Sequence, residues 1–153
     1  MRTIKVLRNG FVLAAGALLC GGALADNCSG RYSNVTLSAE TIEVAKGLSV
    51  TYFHARGSAT SDNYALNNGV GMCGGYALAM PDGKVRLVGV CARKNKDGDT
   101  WSDEWSMEPG AQRGVWRQSA GTGALAGKTN SGWWQPLASD GKTDTGTWGG
   151  NCN

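Results

Sequence analysis

The chain has 153 residues, with 24 Gly, 6 Trp, 5 Cys, 3 Pro and a single His, and a formal charge of +3. That length is one domain's worth and leaves no room for a two-domain nucleotide enzyme. Arg2, Lys5 and Arg8 sit in a head that reads as removable, and the rest balances 12 basic against 12 acidic residues; nucleic acid and acidic membrane are thereby excluded as partners, because both require clustered Lys and Arg.

The head itself is a basic MRTIKVLRNG, an apolar run from Phe11 to Cys20, and small residues ending at Ala25. This three-part layout predicts a secretory signal over residues 1–25 and a mature domain over 26–153, periplasmic or secreted. The run is too short and too Gly-rich for a transmembrane anchor. Leu19 stands before Cys20 where a lipoprotein signal wants a small residue, which argues against lipid attachment.

Beyond the head, no apolar spacing at i, i+3, i+4, i+7 is sustained, and the glycine content would be costly in helices. Short apolar or aromatic runs alternate instead with Gly, Asn, Asp, Ser and Pro. They predict strands at Asn34 to Val44, Leu48 to Arg56, Met72 to Met80, Lys84 to Arg93, Thr100 to Ser106, Gln112 to Gln118, Gly132 to Gln135 and Gly146 to Gly149. A helical turn at Ala39 to Ala45 is the weakest point of that series. About eight hairpin-linked strands in one small domain make the chain all-β, an antiparallel barrel or sandwich. Between the second and third strands, Gly57 to Gly71 (GSATSDNYALNNGVG) reads as a long loop, either mobile or a lid with Tyr64 and Leu66 as apolar anchors.

Four cysteines remain after the head: Cys28, Cys73, Cys91 and Cys152. An even number in an exported chain favours two disulfides over zinc, whose sites show close Cys or His pairs. Pro81-Asp82-Gly83 carries three-residue turn chemistry. Pairing Met80 with Lys84 across it and counting outward brings Cys73 opposite Cys91 on one face, within bridging reach. Cys28 and Cys152 then join the two ends of the chain. The cysteine face of this hairpin also holds Gly75, Ala77, Ala79 and Gly89, and the other holds Met72, Tyr76, Leu78, Met80, Val88 and Val90. By bulk the second face is expected to point inward, with the disulfide face exposed or covered by a loop.

Three stretches between residues 91 and 150 carry a family likeness: CARKNKDGDTWSDEW, GTGALAGKTNSGWW and GTWGG. Together they resemble exported bacterial proteins with an allene oxide cyclase-like barrel, related in shape to plant dirigent proteins and to lipocalins. The resemblance implies a closed, calycin-like antiparallel barrel of about eight strands, of a kind often built around a central cavity. Lys128-Thr129-Asn130 interrupts the pattern after the GTG hairpin, and the catalytic residues of the plant relatives have no matching positions here, so fold is carried over and chemistry is not.

The expected lumen is lined by Tyr52, His54, Tyr76, Leu78, Val88 and Trp101 or Trp105, binding a small apolar or aromatic molecule without catalysis. A protein-binding or inhibitory module acting through loops and an exposed Trp is the alternative; Trp133 and Trp134 are adjacent, so one of them must face outward. A cyclase- or isomerase-like enzyme is the third reading and would need His54 or a carboxylate inside an open cavity. No partner group for His54 is assignable from the sequence and no G-x-S-x-G elbow occurs. The acidic residues Asp97, Asp99, Asp103, Glu104 and Glu108 fail the spacing of a calcium loop and read as a solvated hairpin. No metal and no cofactor is expected.

Overall fold

The computed structural model describes residues 27–153, so the expected signal over 1–25 lies outside the described residues. Eight strands follow in chain order: β1 Cys28–Ala45, β2 Leu48–Ser61, β3 Gly69–Ala79, β4 Val85–Lys94, β5 Thr100–Met107, β6 Gly114–Gly121, β7 Ser131–Ser139 and β8 Thr143–Asn151. Each pairs antiparallel with its neighbour in sequence, and β8 returns to β1 to close the barrel. Every expected strand is present, and Ala39 to Ala45 is extended, not helical.

The central hairpin has the expected register. Met80 donates to the carbonyl of Lys84 at 2.9 Å, Gly83 takes φ of +80°, and Cys73 faces Cys91. Both disulfides are formed, Cys73–Cys91 and Cys28–Cys152. Register shifts around Leu37, Ser119 and Leu137 mark β-bulges, the device by which a strand bends sharply enough to coil into a small barrel.

The long loop expected at Gly57 to Gly71 is corrected. β2 continues to Ser61 and β3 starts at Gly69, leaving a short connection with a 3-10 turn at Tyr64–Leu66. The glycines are there for space. Gly57 pairs with Gly71 and Ala59 with Gly69, and a Cβ on Gly69 would lie 2.4 Å from the Trp101 ring. Of the two proposed anchors, Leu66 is buried at the barrel end, while Tyr64 is exposed beneath the Lys96 ammonium.

The facing of the central hairpin is also corrected. Cys73 and Cys91 are 4% and 2% exposed, whereas Met72 and Val90 on the opposite pleat are each 48% exposed. Volume explains the reversal. Trp101 and Trp105 from β5, Trp116 from β6, Trp134 from β7, Trp148 from β8 and Tyr32 from β1 all project into the lumen, and an eight-stranded barrel is just wide enough for its interior to be filled by side chains. β2, β3 and β4 accordingly turn mainly small residues inward, Ala55, Gly57, Cys73, Gly75, Gly89 and Cys91, with Phe53, Leu87 and Arg93 as the larger exceptions.

The two ends of the barrel differ. At one end Cys28, Leu66, Trp101, Leu125, Trp148 and Cys152 form the buried apolar cluster. Buried amides complete this end. Gln118 donates to the Leu125 carbonyl at 2.9 Å, Asn130 donates to Gln118 at 2.8 Å, and Asn95 donates to the Ala65 carbonyl at 3.0 Å. Such buried amides stay only where their hydrogen bonds are met, so they pin the connections across the barrel floor. The opposite end carries the β1–β2, β3–β4, β5–β6 and β7–β8 hairpins.

Candidate functional site

A cavity of about 430 Å³ occupies the lumen, within the range of about 300–1,000 Å³ usual for small-molecule sites. Its floor is Leu66 with Trp101, Trp116 and Trp148. Its other end is bordered by Thr36, Ala39, Thr51, Pro136 and Gly141. Ala39, Pro136 and Gly141 are exposed, so the cavity opens at the hairpin end.

The walls are layered. Alternation along β5 puts Trp101 near the floor, Asp103 above it and Trp105 above that. In the upper layer Phe53 stacks on Trp105 with centroids 6.0 Å apart, Trp105 meets Trp134 edge to face at 5.9 Å, and Trp134 meets Tyr32 edge to face at 6.3 Å. These rings lie on bare backbone. A Cβ at Gly89 would fall 2.2 Å from Trp105, one at Gly114 2.2 Å from Trp134, and one at Gly146 2.4 Å from Tyr32. Glycine on the neighbouring strand is what lets each ring settle against the wall instead of filling the centre. Near the floor Trp116 and Trp148 meet edge to face at 5.5 Å, and the Trp116 indole donates to the Gly149 carbonyl at 3.3 Å.

One ion pair crosses this apolar lining. Arg93 Nη1 donates to Asp103 Oδ1, and the two side chains are only 10% and 9% exposed. A pair this deep persists because separating it would strand a charge in a medium that cannot solvate it. Arg93 Nη2 lies 3.6 Å from Cys73 Sγ, and Nε has no partner. The Trp148 indole nitrogen is likewise buried without a partner. Two donors on cavity-lining residues are therefore unmet. Nearer the mouth, burial first and the Asp144 carboxylate second push the Tyr32 hydroxyl up to about 12.

The expected site residues divide. Trp101 and Trp105 line the cavity. Tyr52, His54, Tyr76, Leu78 and Val88 do not; they lie on the other pleat and form the outer wall of β2, β3 and β4. There Tyr52 pairs with Tyr76 and Tyr76 with Val88, the two tyrosine rings are 6.3 Å apart, and Tyr52 is 54% exposed. His54 is exposed beside Ser38 and Gly74, away from the lumen. Of the adjacent tryptophans, Trp134 is inside, and Trp133 is on the alternate pleat with the Arg113 guanidinium 4.1 Å above its ring.

Sequence reasoning missed Arg93, Asp103 and Asp144. Arg93 is two residues beyond Cys91 and Asp103 is directly opposite Cys91, so both share the cysteines' pleat; with that pleat turned inward they would have been found. Three of the remaining acids of the stretch have other duties. Asp99 accepts the Ala124 amide at 3.1 Å, Glu104 holds Arg117 at 2.7 Å on the outside, and Glu108 pairs with Arg86 at 3.3 Å. Among the described residues no three His, Cys, Asp or Glu side chains gather as a metal site, and no helix is long and apolar enough to cross a membrane. No protein-family model matches the chain, and no curated protein matches it.

Proposed function

We propose that this is an exported binding protein, periplasmic or secreted and of the allene oxide cyclase-like barrel kind, that holds a small apolar or aromatic molecule in its lumen without transforming it. The observation that carries the reading is the cavity of about 430 Å³, open at one end and walled by aromatic rings that rest on glycine. Stacking and apolar burial would supply the affinity. The unmet donors on Arg93 and Trp148 favour a ligand that brings an acceptor oxygen to the inner end, since a buried unpaired donor is costly. Binding without catalysis is the simpler reading because the one imidazole, His54, is on the outside and Asp103 is committed to Arg93, which leaves Asp144, among the described residues, as a lone carboxylate in the lumen.

Titration with the neutral dye N-phenyl-1-naphthylamine tests it. Saturable binding with energy transfer from the lumen tryptophans is expected, and Thr51→Trp, which adds bulk at the mouth, should weaken it at least about tenfold. Dye binding that does not saturate, or that Thr51→Trp leaves unchanged in a folded variant, would refute the proposal. A second reading rests on the outer wall, where Tyr52, Met72, Val90 and Val70 are exposed together on β2, β3 and β4. An apolar surface of this kind suits a protein partner, and a lumen without ligand affinity would move the function there.

A further inference from the structure

Among the described residues, the charged side chains lining the lumen are one cation, Arg93, and two anions, Asp103 and Asp144. Arg93 and Asp103 neutralise each other. Asp144 has no basic side chain within ion-pair distance among the described residues. It lies on the inner face of β8, opposite Asn34 and two residues before Gly146, the glycine on which Tyr32 rests. The lining as a whole is therefore anionic, and its uncompensated charge is near the mouth.

Just below that carboxylate stands the arc of rings formed by Tyr32, Trp134, Trp105 and Phe53. Carboxylate and aromatic faces share one electrostatic preference. Ring faces carry negative quadrupole density and attract a cation lying within about 6 Å of the centroid, most strongly when water is excluded. Asp144 is opposite Asn34, two residues along β1 from Tyr32 on the same pleat, and its charge helps to raise the Tyr32 hydroxyl. An anionic ligand would meet Asp144 at the entrance and find the Arg93 guanidinium already committed to Asp103. A neutral apolar ligand would gain from the rings and leave the carboxylate unused.

We propose that the lumen selects organic cations, molecules that join a positively charged nitrogen to an apolar body, with the charge held between Asp144 and the rings of Tyr32 and Trp134. This rests on the lumen being a binding site and names the class of ligand it takes. A bare inorganic cation is not the ligand, because a single carboxylate gives it too few oxygens.

Three probes of similar size and different charge test the assignment: phenyltrimethylammonium, its neutral isostere tert-butylbenzene, and benzenesulfonate. Each is titrated into the oxidised protein with tryptophan emission as the readout. Phenyltrimethylammonium should bind about tenfold or more tighter than tert-butylbenzene, and benzenesulfonate weakest. Asp144→Asn should weaken phenyltrimethylammonium several-fold, leaving only the smaller preference that the rings supply, and should leave tert-butylbenzene unchanged. Equal binding of the cation and its isostere to the wild-type protein would overturn the cation assignment and leave lumen binding standing. No binding of any probe would overturn both. Should Asp144→Asn fail to fold, as judged by near-ultraviolet circular dichroism, the wild-type ratio decides on its own.

Discussion

Adding one methyl group at Gly89 puts an atom where two neighbours already stand. Its Cβ would lie 2.2 Å from Cζ2 and 2.6 Å from Cη2 of Trp105, and 2.6 Å from the carbonyl oxygen of Gly74. The indole has little room to withdraw, being held between Phe53 at 6.0 Å and Trp134 at 5.9 Å. The carbonyl belongs to β3, which is hydrogen-bonded to β4, so it moves only if the sheet moves. Overpacking costs about 1–3 kcal/mol, and two obstructed directions place Gly89→Ala near the top of that range. Stiffening of the unfolded chain returns about 0.4–1 kcal/mol, for a net loss of about 2 kcal/mol. In a domain of this size that lowers the melting temperature by about 6–10 °C. Gly74→Ala is the matched control: Gly74 is on the outer pleat, and its nearest neighbour would be His54 Cδ2 at an ordinary 3.4 Å. With no clash, only the unfolded-state effect remains, and a gain of about 0.4–1 kcal/mol is expected. Thermal melts followed by far-ultraviolet circular dichroism, run side by side on the oxidised proteins, decide it. A Gly89→Ala melt within about 2 °C of wild type, or a Gly74→Ala loss as large as that of Gly89→Ala, would refute the assignment of inner and outer faces.

Asp103→Asn leaves the Arg93 guanidinium buried without its counter-ion and should cost about 3–5 kcal/mol in urea unfolding, whereas Arg93→Met combined with Asp103→Leu should cost far less; equal losses would mean that the pair is not desolvated. Replacing Cys28 and Cys152 together by Ser should destabilise more than replacing Cys73 and Cys91, about 5 against about 3 kcal/mol, because the bridges span 124 and 18 residues; the reverse order in denaturant melts would count against chain entropy as the main effect. Absorbance at 295 nm should show a phenol ionising only near about 12, and Tyr32→Phe should remove that step. Between pH 10 and about 12 the folded protein keeps the Tyr32 proton and the unfolded chain has released it, so stability falls as pH rises through this window. Tyr32→Phe should flatten that fall, and an unchanged slope would contradict a buried Tyr32 hydroxyl.

The chain's local chemistry determined the eight strands, their antiparallel order, the turn at Pro81–Gly83 and, through that turn, the meeting of Cys73 with Cys91. Those features follow from alternation, turn residues and counting, all of which act within one hairpin. That Trp101 and Trp105 share a face, and that Trp133 and Trp134 part to opposite faces, was equally readable, because side chains alternate along any strand. Which pleat of β2, β3 and β4 faces inward was decided only on closure. Judged alone, the hairpin offers Tyr76, Leu78 and Val88 as its natural core. In the barrel the lumen is already lined from across by Trp105, Trp116, Trp134, Trp148 and Tyr32, and an eight-stranded barrel is too narrow to take comparable bulk from both sides. Small residues and the disulfide therefore turn in, and Arg93 and Asp103 turn in with them. The aromatic side chains of Tyr52 and Tyr76 are left on the outer wall. Volume is shared among all eight strands at once, and no single segment of the sequence records how it is divided.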